Sequence, residues 1–147
     1  VLTLRCVSSD ILIAKFEKSI ERNNTTKFER LLTDKTITGP FDTGMIQYSD
    51  AESYTVLTER FHDFESEITS VAGSKPDFSW SGQDTATHPS SDIDILNSRG
   101  YSVSECVTVT GSVTAAGNGA SGTWAYELTI VKQGLYWYLA DWKYSRI

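Results

Sequence analysis

The sequence predicts an α+β domain in which three N-terminal helices pack on an antiparallel sheet. Three observations predict it. Apolar residues recur at three- and four-residue steps from Leu12 to Phe64, the helical period. In the last third, short β-branched and aromatic runs alternate with Gly and Asn turns, the pattern of strands that pair with their neighbours. The length, 147 residues, suits one domain that buries most of its unfolded surface, so 1–147 is read as a single unit.

The elements follow in order. Ser8 and Ser9 can cap a first helix with Leu12, Ile13, Phe16 and Ile20 on one face and Lys15, Glu17 and Lys18 on the other. After "RNNTT", Thr26-x-x-Glu29 reads as a capping box opening a short second helix with Phe28, Leu31 and Leu32. The glycines and Pro40 of "ITGPFDTG" stop the helical pattern. A third helix opens at Ser49-x-x-Glu52 and carries the stripe Tyr54, Leu57, Phe61 and Phe64. The β-branched "ESEITSVAG" then reads as a strand closed by Gly73. Residues 74–92, rich in Ser, Thr, Asp, Gly and Pro, read as a loop with a short strand around Phe78 and Trp80. "IDIL" is expected to be a strand. It turns at "NSRG" into "YSVSECVTVTGSV", where Tyr101, Val103, Val107 and Val109 share a face. "TWAYELTIV" and "GLYWYLADWKYSRI" complete the meander.

Composition narrows the function. The apolar and charged fractions, 39% and 22%, belong to a globule rather than a disordered chain. The net charge of −6, with scattered Lys and Arg, argues against nucleic acid as a partner. The longest apolar run, "DILIAKF", is too short to cross a membrane and contains Asp10 and Lys15. "GNGASG" satisfies the dinucleotide fingerprint G-x-G-x-x-G in its letters. The strand-like "TWAYELTIV" follows it where that chemistry needs a helix N-terminus, so Asn118-Gly119 is read as a hairpin tip and no cofactor is expected.

Cys6 and Cys106 lack zinc or redox spacing; a disulfide across so long a loop is expected, against the alternative of two buried thiols. Asn23 and Asn24 open overlapping glycosylation sequons, and the chain begins at Val1 rather than Met. A removed leader would make the protein secreted; otherwise it is cytoplasmic. "DTATHPSSDID" offers Asp84, His88, Asp92 and Asp94 without metal spacing, so no metal is expected. No nucleophile-elbow sequence is present.

Two passages carry a family resemblance. "FEKSIERNNTTKFERLLTDKTITG" is similar to the opening of the nuclear transport factor 2-like superfamily: an amphipathic helix, a polar break, and a second helix running into the first strand. "GLYWYLADWKYSRI" resembles its closing strand. The resemblance implies a cystatin-like cone, a curved antiparallel sheet wrapped around the helices. The superfamily holds ketosteroid isomerase-like and dehydratase-like enzymes, polyketide cyclases, and many non-catalytic binding or dimerising proteins, and fold alone does not choose among them.

Strand alternation sorts Trp137, Leu139, Asp141 and Lys143 from Tyr136, Tyr138, Ala140, Trp142 and Tyr144. The family comparison turns the first set into the cone, where Tyr54 and His62 would join Trp137, Leu139 and Lys143 around a small apolar ligand. It turns the second set outward beside Trp124 and Tyr126, as an aromatic surface for a second copy or another protein. The bland alternative is a private core formed by loop 74–92 folding over those rings. Asp141, with Glu105 beside Val103 and Val107, is the candidate general base of a cofactor-free isomerase, cyclase or dehydratase, helped by Tyr101 or Tyr54. A salt bridge from Asp141 to Lys143 is the simpler account. A dehydratase would want two histidines converging on an acid, and the chain has only His62 and His88. The leading expectation is therefore a non-catalytic domain that binds a protein or a small apolar molecule.

Overall fold

A computed structural model describes residues 6–33, 37–38, 46–47 and 50–147, with side chains over 6–33 and 55–147. The expected turn at 39–45, the Ser49 cap and the side chain of Tyr54 lie outside the described residues.

Helix α1 (Ser9–Glu21) begins where Ser8 accepts a hydrogen bond from the Ile11 N–H at 3.3 Å, and it buries Leu12, Ile13, Phe16 and Ile20 as its period requires. Helix α2 (Thr25–Glu29) is capped two residues earlier than its capping box suggested. The Asn24 side chain accepts from the Lys27 N–H at 3.0 Å, after Asn23 has turned the chain at φ 47°. Strands β1 (Ile37–Thr38) and β2 (Ile46–Gln47) form a small antiparallel pair.

Helix α3 (Asp50–Ala72) is longer than expected, because "ESEITSVA" continues it instead of starting a strand. Phe61, Phe64, Ile68 and Ala72 are all buried at helical steps, and that packing overrides the β-preference of Ile and Val. Gly73 then ends the helix at φ 83°. A Cβ there would lie 2.3 Å from the Asn118 amide nitrogen, so this stop also receives the hairpin opposite.

The main sheet runs β3-β4-β5-β6, all antiparallel: β3 (Asp77–Thr87), β4 (Val103–Gly117), β5 (Ala120–Gln133) and β6 (Tyr136–Arg146). Most of the segment expected to be a loop is thus the edge strand β3. Only Phe78 and Trp80 pack against the core; its other residues are exposed or small, which is why its composition looked like a loop. "IDIL" lies in helix α4 (Ser90–Ser98), with Leu96 fully buried. "GNGASG" is a hairpin tip: Gly117 pairs with Ala120, while Asn118 and Gly119 take φ 53° and 76°.

Two bulges decide which way side chains point. Between Val103 and Glu105 the β4 register shifts, and between Leu139 and Asp141 β6 carries the additional residue Ala140. Each shift reverses the alternation. Trp137 and Leu139 before the β6 bulge, and Trp142 and Tyr144 after it, all join the core against the helices. The expected outward aromatic face is therefore corrected: Trp124, Tyr126, Trp142 and Tyr144 point inward, and Trp124 and Trp142 are fully buried. The opposite face has its own small core, in which α4 covers Tyr101, Val103, Cys106, Val131 and Ala140, with Tyr138 packed against it. A private second core exists, built from a helix rather than a loop.

Cys6 and Cys106 sit in these two different cores and both are free thiols. The expected disulfide is absent, and the physical reason is the sheet that stands between them. The edge of β6 is covered: Trp137 donates to the Cys6 carbonyl at 2.7 Å, and Leu139 exchanges hydrogen bonds with Leu31 and Thr33 at 2.6 and 2.9 Å.

Candidate functional site

The interior is a nest of rings. Around Trp142, which donates its indole N–H to the Leu57 carbonyl at 3.4 Å, stand Phe16, Phe28, Phe64 and Tyr144 with centroids 5.4–5.9 Å away. Phe28 of α2 stacks on Phe61 of α3 at 4.6 Å. These contacts join all three N-terminal helices to the terminal strand.

Asp141 lies at the edge of this nest, 6% exposed. Its Oδ1 accepts from the Trp142 N–H at 2.9 Å and from Arg60 of α3 at 3.2 Å, and Arg60 also donates to the Trp142 carbonyl. Burial pushes the Asp141 carboxyl up to about 6, and the Arg60 guanidinium beside it only partly offsets that. The partner is Arg60, not Lys143. Lys143 is exposed and pairs with Glu127 across the strands at 2.9 Å.

The other expected site residues are dispersed. Glu105 is half exposed and pairs with Lys132 at 3.7 Å, so it does not converge with Asp141. His62 is exposed on α3, its ring edge-on to Phe61. Trp137 and Leu139 do line the helix-facing side of β6. Tyr136 is half-buried at the β5–β6 turn, and Tyr101 is buried beneath α4, where burial raises its hydroxyl pKa.

Four buried side-chain polar atoms on α3 and β5 have no hydrogen-bond partner among the described residues: Thr58 Oγ1, Glu65 Oε1, Trp124 Nε1 and Tyr126 Oη. Glu65 is 7% exposed, and burial alone lifts its carboxyl up to about 8, so at neutral pH it is mostly a neutral acid. Thr58 and Glu65 stand seven residues apart on α3, two turns along one stripe. Trp124 and Tyr126 are alternate inward residues of β5, with the Tyr126 hydroxyl lying directly over Gly111, where a Cβ would come within 2.5 Å. Burial, with the charge of Glu17 second, raises the Tyr126 hydroxyl. The β-branched residues after Glu65 suggest a strand and hide it from the sequence; with the helical stripe Phe61, Phe64, Ile68 continued, Glu65 is an acid among buried positions.

No family model and no curated protein matches the sequence. Among solved structures, the chain is similar to a nuclear transport factor 2-like protein of unknown function from Pseudomonas putida, at TM-score 0.59 and 8% identity, over 92% of this chain and 82% of that one. A Xanthomonas campestris protein, provisionally described as a calcium/calmodulin dependent protein kinase II association domain, matches at TM-score 0.56 and 12% identity over 94% and 84%. A Streptomyces avermitilis protein, provisionally described as a dehydratase of the nuclear transport factor 2-like family, matches at 0.55 and 8% over 94% and 93%. Helices packed on an antiparallel sheet, matched over more than nine-tenths of this chain by these structures, give this protein the nuclear transport factor 2-like fold.

Proposed function

We propose that the cone is a non-catalytic binding site that holds a small, largely apolar molecule bearing a hydroxyl or carbonyl group. One observation carries the reading: four buried polar atoms on α3 and β5, two elements that pack on each other, have no hydrogen-bond partner among the described residues. Native cores leave few such groups, and each costs about 1–3 kcal/mol unless a water or guest satisfies it. The rings supply the apolar contact. Neutral Glu65, the Thr58 and Tyr126 hydroxyls and the Trp124 N–H supply hydrogen bonds of either sense. The carboxylates suited to base catalysis do not support catalysis in the cone: Asp141 shares its oxygen with Arg60, and Glu105 pairs at the surface.

Thermal unfolding with a panel of small phenols and aromatic ketones tests this. A binder at a hundred times its Kd should stabilise the fold by about 2.7 kcal/mol and alter the fluorescence of Trp124 or Trp142, with weaker binding in Glu65→Leu. No shift from any compound, with ordered water on all four atoms in a high-resolution structure, overturns the proposal.

A further inference from the structure

The outer face of the sheet carries an arrangement that the cone does not explain. His88, in the short connection from β3 to α4, places its Nδ1 2.7 Å from the Asp92 Oδ2 and its Nε2 2.5 Å from the Thr108 Oγ1. Acid, imidazole and hydroxyl are thus in line. Three elements hold them: the His88 N–H donates to the Cys106 carbonyl at 2.8 Å, Asp92 sits in the first turn of α4, and Thr108 is paired with Ala86 and Thr129 in the middle of the sheet. The carboxylate fixes the imidazole with its proton on Nδ1, leaving Nε2 to accept from the threonine hydroxyl.

Two further features turn this chain into a candidate reactive centre. Helix α4 has Pro89 at its N-cap, so no side chain caps it, and the N–H groups of Ser90 and Ser91 open its positive end next to His88. The site is also reachable: the His88 and Asp92 side chains keep 16% and 19% of their exposure, and Thr108 is half-buried. The nearby thiol is no competitor. Cys106 is fully buried beneath α4, where burial and the charge of Asp92 push it up to about 12.

We propose that this outer site cleaves small, unhindered carboxylic esters, with Thr108 as nucleophile, His88 as general base and then acid, and Asp92 as a positioning residue. Thr108 Oγ1 bonds to the acyl carbon as its proton passes to His88 Nε2. The amides at the start of α4 face the developing oxyanion. The ester C–O bond breaks and the departing alkoxide takes the proton from His88. Water then reverses the sequence: it gives a proton to His88, adds to the acyl carbon, and releases the acid as Thr108 recovers its hydrogen. The site is independent of any guest in the cone.

The test is stopped-flow hydrolysis of p-nitrophenyl acetate, with peptide mass mapping of the quenched protein. A burst of p-nitrophenolate and an acetyl group on Thr108 are expected. Thr108→Val, an isosteric change in a strand, should abolish the adduct while keeping the fold, and Thr108→Ser should retain it. His88→Asn should slow acylation on the order of 100-fold. An acetyl group only on lysines or the chain terminus overturns the proposal, as does a Thr108→Val rate equal to the unaltered protein. If His88→Asn lowers the urea midpoint but leaves acylation unchanged, the trio is a structural strut and the proposal falls.

Discussion

At the scale of single residues, the two buried acids sit in contrasting surroundings. Asp141 has a guanidinium and a backbone N–H on one oxygen, whereas Glu65 Oε1 has no hydrogen-bond partner among the described residues. A carboxyl whose folded pKa is raised binds its proton more tightly in the native than in the unfolded state. Its contribution is fully present below the unfolded value near 4.3 and is lost as pH rises through the folded value, about 8 for Glu65. Stability should therefore decline between pH 5 and 8, and Glu65→Gln should remove on the order of 3 kcal/mol of that decline. Urea titrations at the two pH values check it; an unchanged slope in the variant would show that Glu65 is not the group responsible. For Asp141 the critical neighbour is Arg60. Arg60→Met leaves a buried carboxylate without its counter-charge and should destabilise by about 1–3 kcal/mol at pH 8, allowing for the partial exposure of the arginine. Near pH 5, where Asp141 takes up its proton, the loss should shrink. A loss independent of pH would assign Arg60 a packing role alone.

At the scale of elements, helix α3 and the terminal strand are held by shape more than by charge. Trp142 touches rings from α1, α2 and α3, so truncating it empties the junction of all three. Trp142→Ala should cost about 3–5 kcal/mol, measured by equilibrium unfolding; a cost under 1 kcal/mol would mean the junction collapses around the void. The contact between the end of α3 and the β4–β5 hairpin is tighter still. A Cβ on Gly117 would come within 2.2 Å of the Ala72 carbonyl, a backbone atom that cannot swing aside. Gly117→Ala should therefore destabilise by about 1–3 kcal/mol, as overpacking does, and Gly119→Ala should act instead through its φ of 76°. Equal unfolding midpoints for Gly117→Ala and the parent would refute the close approach.

At the scale of the whole molecule, the sheet is a partition. One side carries the helices α1–α3 and the ring core, the other carries α4 and its small core, and each holds one cysteine. Reductant should leave the melting temperature unchanged, and alkylation after unfolding should label both thiols without prior reduction. Recovery of a Cys6–Cys106 linked peptide would contradict the partition.

The helix-then-meander order, the first helix and its buried face, the Asn118-Gly119 hairpin and the resemblance to the cone fold are all legible in the amino-acid order. Those features are local: a 3.6-residue period, a cap or a turn residue states its structure within a few positions. Which face of the last strand is inside emerges only in the folded sheet, because one additional residue at Ala140 reverses every later side chain and leaves no mark in the alternation itself. The same holds for Arg60 with Asp141, and for His88 between Asp92 and Thr108. His88 and Asp92 are four residues apart and local, but Thr108 and the Arg60–Asp141 pair come within hydrogen-bond reach only because the sheet brings distant positions together.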